Sequence, residues 1–421
     1  MKCKLRRSMK FHPSLSLCAV LLATPVLAEP VRSISLADAI ALSVQHNPDF
    51  RSTGYDVRAA QGAVAQASVL PNPSILLAAN GRGTSPLVGP VPNQFGINFT
   101  VPIGGKISAA TKAAEAALDA AKSTRESARR TLLLNVQTAF VAVQLDQLLL
   151  SFARDDQAGF HKELDLNEIR YKDGKISFGE LLKLRIQAVT TDDEVREAIE
   201  NLENARADLR RVIGEDVLAD DFQVTGELTV PAPPKPSAID ELLARALEKR
   251  PDYQALLQQE KSAESSLSLA RRTPIPDLGF LVDYNRAVDG APASYDLLLT
   301  VPIPLFDRNQ GNITQAEAAY EKSKLAEASL RTQLRSDLWK GMQEWLAASS
   351  LLAVYQGGVV EEAKESLEIT KHAYELGTGT LLDFLDAEAS YRQIESAYRA
   401  AFARTVNAAN NIQFTTGEVQ P

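Results

Sequence analysis

Asn47-Pro48-Asp49-Phe50 recurs as Arg250-Pro251-Asp252-Tyr253, 203 positions further along the 421-residue chain, and the spacing persists. Pro71 and Pro73 map onto Pro274 and Pro276, and Arg170-Tyr171-Lys172-Asp173-Gly174 maps onto Ala373-Tyr374-Glu375-Leu376-Gly377. Between them, Thr100-Val101-Pro102-Ile103 matches Thr300-Val301-Pro302-Ile303 at a spacing of 200, so the intervening hairpin differs in length and later insertions restore the offset. An ordered series of this kind reads as one unit written twice. Residues 29–230 form the first copy. Residues 231–421 form the second, opening on the proline-rich linker Pro231-Ala232-Pro233-Pro234-Lys235-Pro236.

Each copy predicts the same plan of helix, two strands, very long helix, tight turn and returning helix. The first helices run from Leu36 to Val69 and from Ile239 to Arg272, each stopped by a proline pair. Strand periodicity follows. Phe95, Ile97, Phe99 and Val101 alternate with Gly96, Asn98 and Thr100, while residues 74 to 80 carry a weaker strand pattern. In the second copy Leu278, Phe280, Val282 and Tyr284 alternate with Asp277, Gly279, Leu281 and Asp283, and Tyr295, Leu297, Leu299 and Val301 alternate with Asp296, Leu298 and Thr300. The stretches 81–92 and 285–293 read as hairpin loops.

The long helices, Ile107 to Lys172 and Ile313 to Leu376, would each reach about 100 Å at ~1.5 Å per residue. No compact globule requires that. Leu334, Leu338, Met342 and Trp345 form an apolar stripe at helical spacing, and residues 109 to 128 are rich in alanine, which permits close helix packing. Coiled-coil core accounts for both.

Residues 1–28 read as an export signal. Lys2, Lys4, Arg6, Arg7 and Lys10 precede the apolar stretch Leu15 to Leu22, and Val26-Leu27-Ala28 forms a small-residue cleavage site. Cys3 and Cys18 both fall inside that segment, so a disulfide scaffold and cysteine-ligated metals are excluded from the mature chain. Lipidation at Cys18 is the rival reading, disfavoured by the bulky Leu17 before it. The formal net charge of −8, more negative once the basic signal is removed, argues against a nucleic-acid partner.

Beyond the signal no uninterrupted apolar run approaches the ~18 residues of a spanning helix. Membrane contact would therefore fall to the strands, expected at the ~9 to 11 residues of a tilted transmembrane strand, with an apolar face opposite a polar one. Four strands cannot close a barrel. Open edges are not viable in lipid, so several chains must contribute, and cyclic symmetry is the usual solution. Three chains give twelve strands.

The chain resembles the TolC family of outer-membrane efflux ducts. The resemblance rests on the N-P-D-F and R-P-D-Y pair, on Val-Pro-Ile closing the second strand of each copy, and on the Tyr-x-x-Gly turns after each long helix. The segment Val301-Pro-Ile-Pro-Leu-Phe-Asp-Arg-Asn-Gln-Gly-Asn312 is similar to one common in the cobalt-zinc-cadmium branch. The resemblance implies a mostly α chain with a small β part, assembled as a homotrimer. One twelve-stranded barrel in outer-membrane lipid would continue as a periplasmic helical tunnel. It further implies a passive duct without cofactor, served by a periplasmic adaptor protein and an inner-membrane pump of the resistance-nodulation-division type. Metal cations are the preferred cargo, organic solutes the alternative. A soluble periplasmic scaffold or adaptor is the competing class, against which the paired amphipathic hairpins argue.

The lipid face would comprise Phe95, Ile97, Phe99, Phe280, Val282, Leu297 and Leu299. No enzymatic constellation accompanies it. His46, His161 and His372 are isolated in sequence, the runs Asp192-Asp193-Glu194 and Glu361-Glu362 read as solvated helix faces, and no glycine-rich phosphate loop follows a strand. The remaining candidates are acids at the turns. Asp383 and Asp386 lie three apart at the start of the last helix, and Glu180 occupies the place of Asp383 in the first copy. Such acids also simply favour a helix start. The resemblance adds a periplasmic gate at this turn, closed in family members by acids, a tyrosine and an arginine. Tyr374 matches the tyrosine, and Gly379 stands where the arginine would be.

Overall fold

The computed structural model describes residues 31–79, 84–85, 89–90, 93–214, 217–231, 239–287 and 292–418. The expected signal, most of the proline-rich linker and parts of both hairpin loops lie outside them. In the first half, β1 (Val31–Ile34), α1 (Leu36–His46), α2 (Pro48–Ala67) and β2 (Ser74–Ala78) are followed by the two-residue strands β3 (Thr84–Ser85) and β4 (Gly89–Pro90). Then come β5 (Gln94–Val101), α3 (Lys106–Lys172), α4 (Phe178–Ile213) and β6 (Leu218–Val224). In the second half, α5 (Ile239–Lys249), α6 (Pro251–Arg272), β7 (Leu278–Asn285) and β8 (Ser294–Thr300) precede α7 (Gln310–Val354), α8 (Val360–Glu375) and α9 (Leu381–Thr416).

Where one opening helix was expected in each half, there are two. Pro48 and Pro251 each occupy the first position of a new helix, and the residue before a proline is pushed out of the helical region. Asn47 accordingly sits at φ −59°, ψ 119° and Arg250 at φ −79°, ψ 121°. The joints are pinned in the same way. Asn47 Nδ2 donates to the Val212 carbonyl at 2.8 Å while its Oδ1 caps Phe50 N–H at 2.8 Å, and Arg250 donates to the Thr415 carbonyl at 3.2 Å. Both joints thus clamp onto the end of their own returning helix.

The long helices are not alike. α3 runs 67 residues without a break, but its counterpart is interrupted between α7 and α8 by the wide turn Tyr355–Val359, where Gly358 takes φ 117°. That value is open to glycine and strained for other residues. The expected continuous helix from Ile313 to Leu376 is therefore two helices.

β2, β5, β7 and β8 form one antiparallel sheet in that order, leaving β2 and β8 as edges. The strands run five to eight residues, shorter than expected, because Pro73 precedes β2 and Pro102 and Pro302 withhold the N–H that would extend β5 and β8. A second, parallel pairing joins β1 to β6, with Ile34 opposite Val224. It had no forewarning in the periodicity. Together with α1, α3 and α4 it builds the main core, in which Ile34, Val136, Leu209, Ile213 and Phe222 are almost fully buried.

Candidate functional site

The two helical turns share one backbone design. In the first, Lys175 N–H donates to Arg170 O at 2.8 Å and Gly174 N–H to Tyr171 O at 2.9 Å, with Gly174 at φ 71°. In the second, Thr378 N–H donates to Ala373 O at 2.9 Å and Gly377 N–H to Tyr374 O at 3.0 Å, with Gly377 at φ 74°. This six-to-one, five-to-two pattern satisfies the last carbonyls of a helix and requires a left-handed residue, hence the glycine of each Tyr-x-x-Gly.

The acids that follow have local work. Glu180 closes a capping box, its carboxylate accepting Ser177 N–H at 2.8 Å while Ser177 Oγ accepts Glu180 N–H at 3.2 Å. Thr380 Oγ1 likewise accepts Asp383 N–H at 3.2 Å and donates to the Asp383 carboxylate at 2.7 Å. Asp383 and Asp386 are both exposed at the start of α9.

Tyr374 is not part of that exposed surface. It is 5% exposed, its hydroxyl donates to Asn167 Oδ1 at 2.9 Å, and its ring stacks on Phe384 with centroids 5.8 Å apart. The Arg170 guanidinium lies 5.3 Å from the ring centroid and also donates to Glu375 O at 2.9 Å. So an arginine does meet the tyrosine, but it comes from α3 of the other half. A Cβ at Gly379 would stand 3.0 Å from Ala373 Cβ and 3.2 Å from the Tyr374 nitrogen, so a side chain there has little room.

Further up the same seam lies a polar cluster that the sequence did not single out. Arg392 of α9 donates to Glu194 of α4 at 2.9 Å and lies 3.5 Å from Asp156 of α3. Glu388, one turn before Arg392, is 4% exposed. Burial pushes its carboxyl up to about 7, with Asp156, Glu194 and Glu163 adding to the rise and Arg392 opposing it. Below, Lys371 of α8 pairs with Glu163 of α3 at 2.6 Å. The run Asp192-Asp193-Glu194 is thus more than a solvated face, since Asp192 also meets His161 at 2.8 Å and Gln157 at 2.7 Å. The signal that could have exposed the seam is helical phase: Glu163, Asn167 and Arg170 follow at i, i+4 and i+7 along one face of α3.

On the sheet, the register aligns Phe99, Phe280 and Leu299 across three strands, and Ile97, Val282 and Leu297 beside them. Phe95 joins Tyr284 and Tyr295 in the next row. All of these project from one face, and Phe99 and Phe280 stack at 5.2 Å. The opposite face carries Gln94, Asn98, Thr100, Asp283, Asn285, Asp296 and Thr300, with Leu281 and Leu298 as its apolar members beside Asn98. Ile97, Val282, Leu297 and Leu299 are about half exposed or more in the single chain, an arrangement water does not reward. Among the described residues no three His, Cys, Asp or Glu side chains converge as metal ligands.

Helices far longer than a globule needs carry an open-edged sheet with one exposed apolar face, the architecture of a chain that completes its sheet and covers that face outside itself. The chain belongs to the outer membrane efflux protein family, whose model matches residues 39–215 and again 242–418. It is similar to the cobalt-zinc-cadmium resistance protein CzcC of Cupriavidus metallidurans, with 24% identity over 92% of this chain and 91% of that protein. Among solved structures it is similar to a membrane protein from Pseudomonas aeruginosa, with TM-score 0.78, 18% identity and coverage of 91% of this chain and 92% of that one. The Campylobacter jejuni CmeC outer membrane channel gives TM-score 0.77 and 15% identity, covering 91% of this chain and 85% of that one. The protein is therefore an outer-membrane efflux channel with its helical tunnel in the periplasm, and the soluble-scaffold reading falls away.

Proposed function

We propose that three copies of the chain form one passive exit duct for metal cations, each copy supplying four strands to a twelve-stranded barrel. The observation that carries the assembly is the sheet: among the described residues β2 and β8 are its unpaired edges, and lipid tolerates neither an open edge nor a partial barrel. Head-to-tail pairing of β8 with β2 of the next copy closes it. Phe95, Ile97, Phe99, Phe280, Val282, Leu297 and Leu299 would then face lipid, and the polar face the lumen. The family model matching twice, with matched segments 203 residues apart, supports a duplicated chain.

In this reading the turns form the periplasmic gate. Tyr374 acts as an internal latch through Asn167 and Arg170, while Asp383 and Asp386 in three copies ring the entrance and favour cations. Glu180 holds the shape of the neighbouring turn. A periplasmic adaptor and a resistance-nodulation-division pump would deliver cargo and energy. Similarity to a cobalt-zinc-cadmium resistance protein along most of both chains supports the metal cargo.

The test is a deletion strain challenged with zinc, cobalt, cadmium, copper and silver salts and with a panel of antibiotics and dyes. Sensitivity to the metal salts, reversed by restoring the gene, is expected; sensitivity to organic compounds alone would overturn the metal reading.

A further inference from the structure

The passage from sheet to long helix differs between the halves. After β5 the chain goes through Ile103, Gly104 and Gly105 directly into α3, tightly packed: a Cβ on Gly104 would lie 2.6 Å from an Ile275 methyl. After β8 the corresponding stretch is longer, Ile303-Pro304-Leu305-Phe306-Asp307-Arg308-Asn309. Phe306 is 92% exposed, Ile303 76% and Leu305 64%.

That exposure is built rather than slack. Asn309, at φ 59°, receives no help from glycine, yet it is fixed on three sides. Its N–H donates to Asp307 Oδ1 at 2.8 Å, its Nδ2 donates to Ala270 O near the end of α6 at 2.8 Å, and its Oδ1 accepts from Asn312 at 2.6 Å. Arg308 N–H donates to Gln310 Oε1 at 2.9 Å and Leu305 N–H to Ile303 O at 2.9 Å. A polar base thus presents an apolar tip.

We infer that this loop is a lipid anchor: Ile303, Leu305 and Phe306 enter the inner leaflet of the outer membrane at the headgroup boundary, and Arg308 takes a phospholipid phosphate. The inference rests on the proposed lipid contact of the sheet, and its chief support is continuity with that face. Tyr295, Leu297, Leu299, Val301 and Ile303 are exposed apolar residues at alternate positions, leading from the strand into the loop. Along the chain the apolar tip is followed by Asp307 and Arg308, and exposed Arg271 closes the neighbouring helix. Apolar and aromatic groups followed by cations are the order in which a bilayer boundary changes from acyl chain to phosphate. Copy one lacks the device, so a trimer would carry three such anchors and not six.

Full-length trimer carrying Phe306→Trp, in a Trp339→Phe/Trp345→Phe background, is reconstituted into phosphatidylethanolamine and phosphatidylglycerol vesicles containing lipids brominated at shallow or deep acyl positions. Leu299→Trp in the same background reports on the sheet. The expected result is blue-shifted emission from position 306, quenched severalfold more by shallow than by deep bromines. Emission quenched by aqueous iodide as strongly in vesicles as in detergent would place the loop in water and overturn the anchor. Blue-shifted emission indifferent to bromine would mean that protein covers it, also overturning the proposal. If position 299 is quenched and 306 is not, only the anchor fails; if neither is quenched, the lipid contact of the sheet fails with it. Phe306 packs against little of its own chain, and trimer recovery is checked for each variant before reconstitution, so loss of assembly is separated from loss of lipid contact.

Discussion

The two helical turns are near copies in backbone and opposites in environment. Tyr171 of the first is 39% exposed and Tyr374 of the second 5%, although both precede a glycine at the same left-handed φ with the same hydrogen bonds. Turn geometry is set within six residues; burial is set by what the hairpin leans on. The α8–α9 hairpin leans on α3 and α4 through Phe160, Leu184 and Ala188, and its tyrosine is gripped by Asn167 and Arg170 from outside its own half. The α3–α4 hairpin stands on an unbroken helix, while α8 hangs from the turn at Gly358. One hairpin is a strut and the other a clamped arm.

The sharpest way to break this comparison is to truncate both tyrosines. Tyr374→Ala should destabilise the α8–α9 turn by about 3 to 5 kcal/mol, as for other buried aromatics, against about 0.5 kcal/mol for Tyr171→Ala. Hydrogen exchange at residues 371–386 reads the difference, and equal protection loss in the two variants would show that the arm is not clamped where the structure puts the clamp.

Glu388 offers the next largest effect, because its counterpart Arg185 is an exposed partner of Glu168. A carboxyl raised from 4.5 to about 7 keeps its proton in the folded protein where the unfolded chain has released it. Its contribution to stability therefore falls as pH rises from about 4.5 to about 7, and above that the buried carboxylate costs on the order of 3 kcal/mol. Glu388→Gln should flatten that part of the melting profile and raise stability at about pH 8. An unchanged slope between about pH 5 and 8 would count against a protonated Glu388.

Gly358→Ala forces a residue with a Cβ into φ 117° and should cost about 1 to 3 kcal/mol at the α7–α8 junction. The converse change in the strut, Asp155→Gly, meets only the helix-interior penalty of about 0.5 to 1 kcal/mol. Denaturant unfolding of the two variants side by side ranks them, and a costlier Asp155→Gly would reverse the assignment of strut and arm. The smallest structural effect is expected from Asp383→Asn/Asp386→Asn, since both side chains are exposed. In planar-bilayer recordings of the trimer this variant should lose cation selectivity and sensitivity to a trivalent blocker, whereas Glu180→Gln should change little. Unchanged selectivity would leave the two aspartates as helix-start residues only.

Much of this was legible in the residues because it is local. Proline pairs, strand alternation and Tyr-x-x-Gly turns each fix a few neighbouring dihedrals, and the strands and turns fall where those signals put them. The breaks at Asn47 and Arg250 were visible as X-Pro steps, but the apolar period runs through them, so a single helix was the natural reading. The π-type turn at Gly358 was hidden similarly, inside a helical pattern that one glycine pair does not erase. What could not be read was the pairing between halves. Asn167 meets Tyr374, and Arg392 meets Asp156 and Glu194, across roughly half the chain's contour, and a polar residue on a long helix looks the same whether it faces water or a partner.

The parallel pairing of β1 with β6 carries a consequence for biogenesis. β1 precedes both long helices of the first half and its partner follows them, so during vectorial export Ile34 must cross long before Phe222 and Val224 arrive to cover it. Until then the core of the first half lacks its β1–β6 layer, and α1, α3 and α4 can assemble only a partly covered core open to periplasmic proteases and chaperones. The seam between β1 and β6 thus acts as a timer on secretion: the earliest segment to emerge is among the last to find its place, and a substitution that weakens it should show first as slow maturation and only later as a faulty channel.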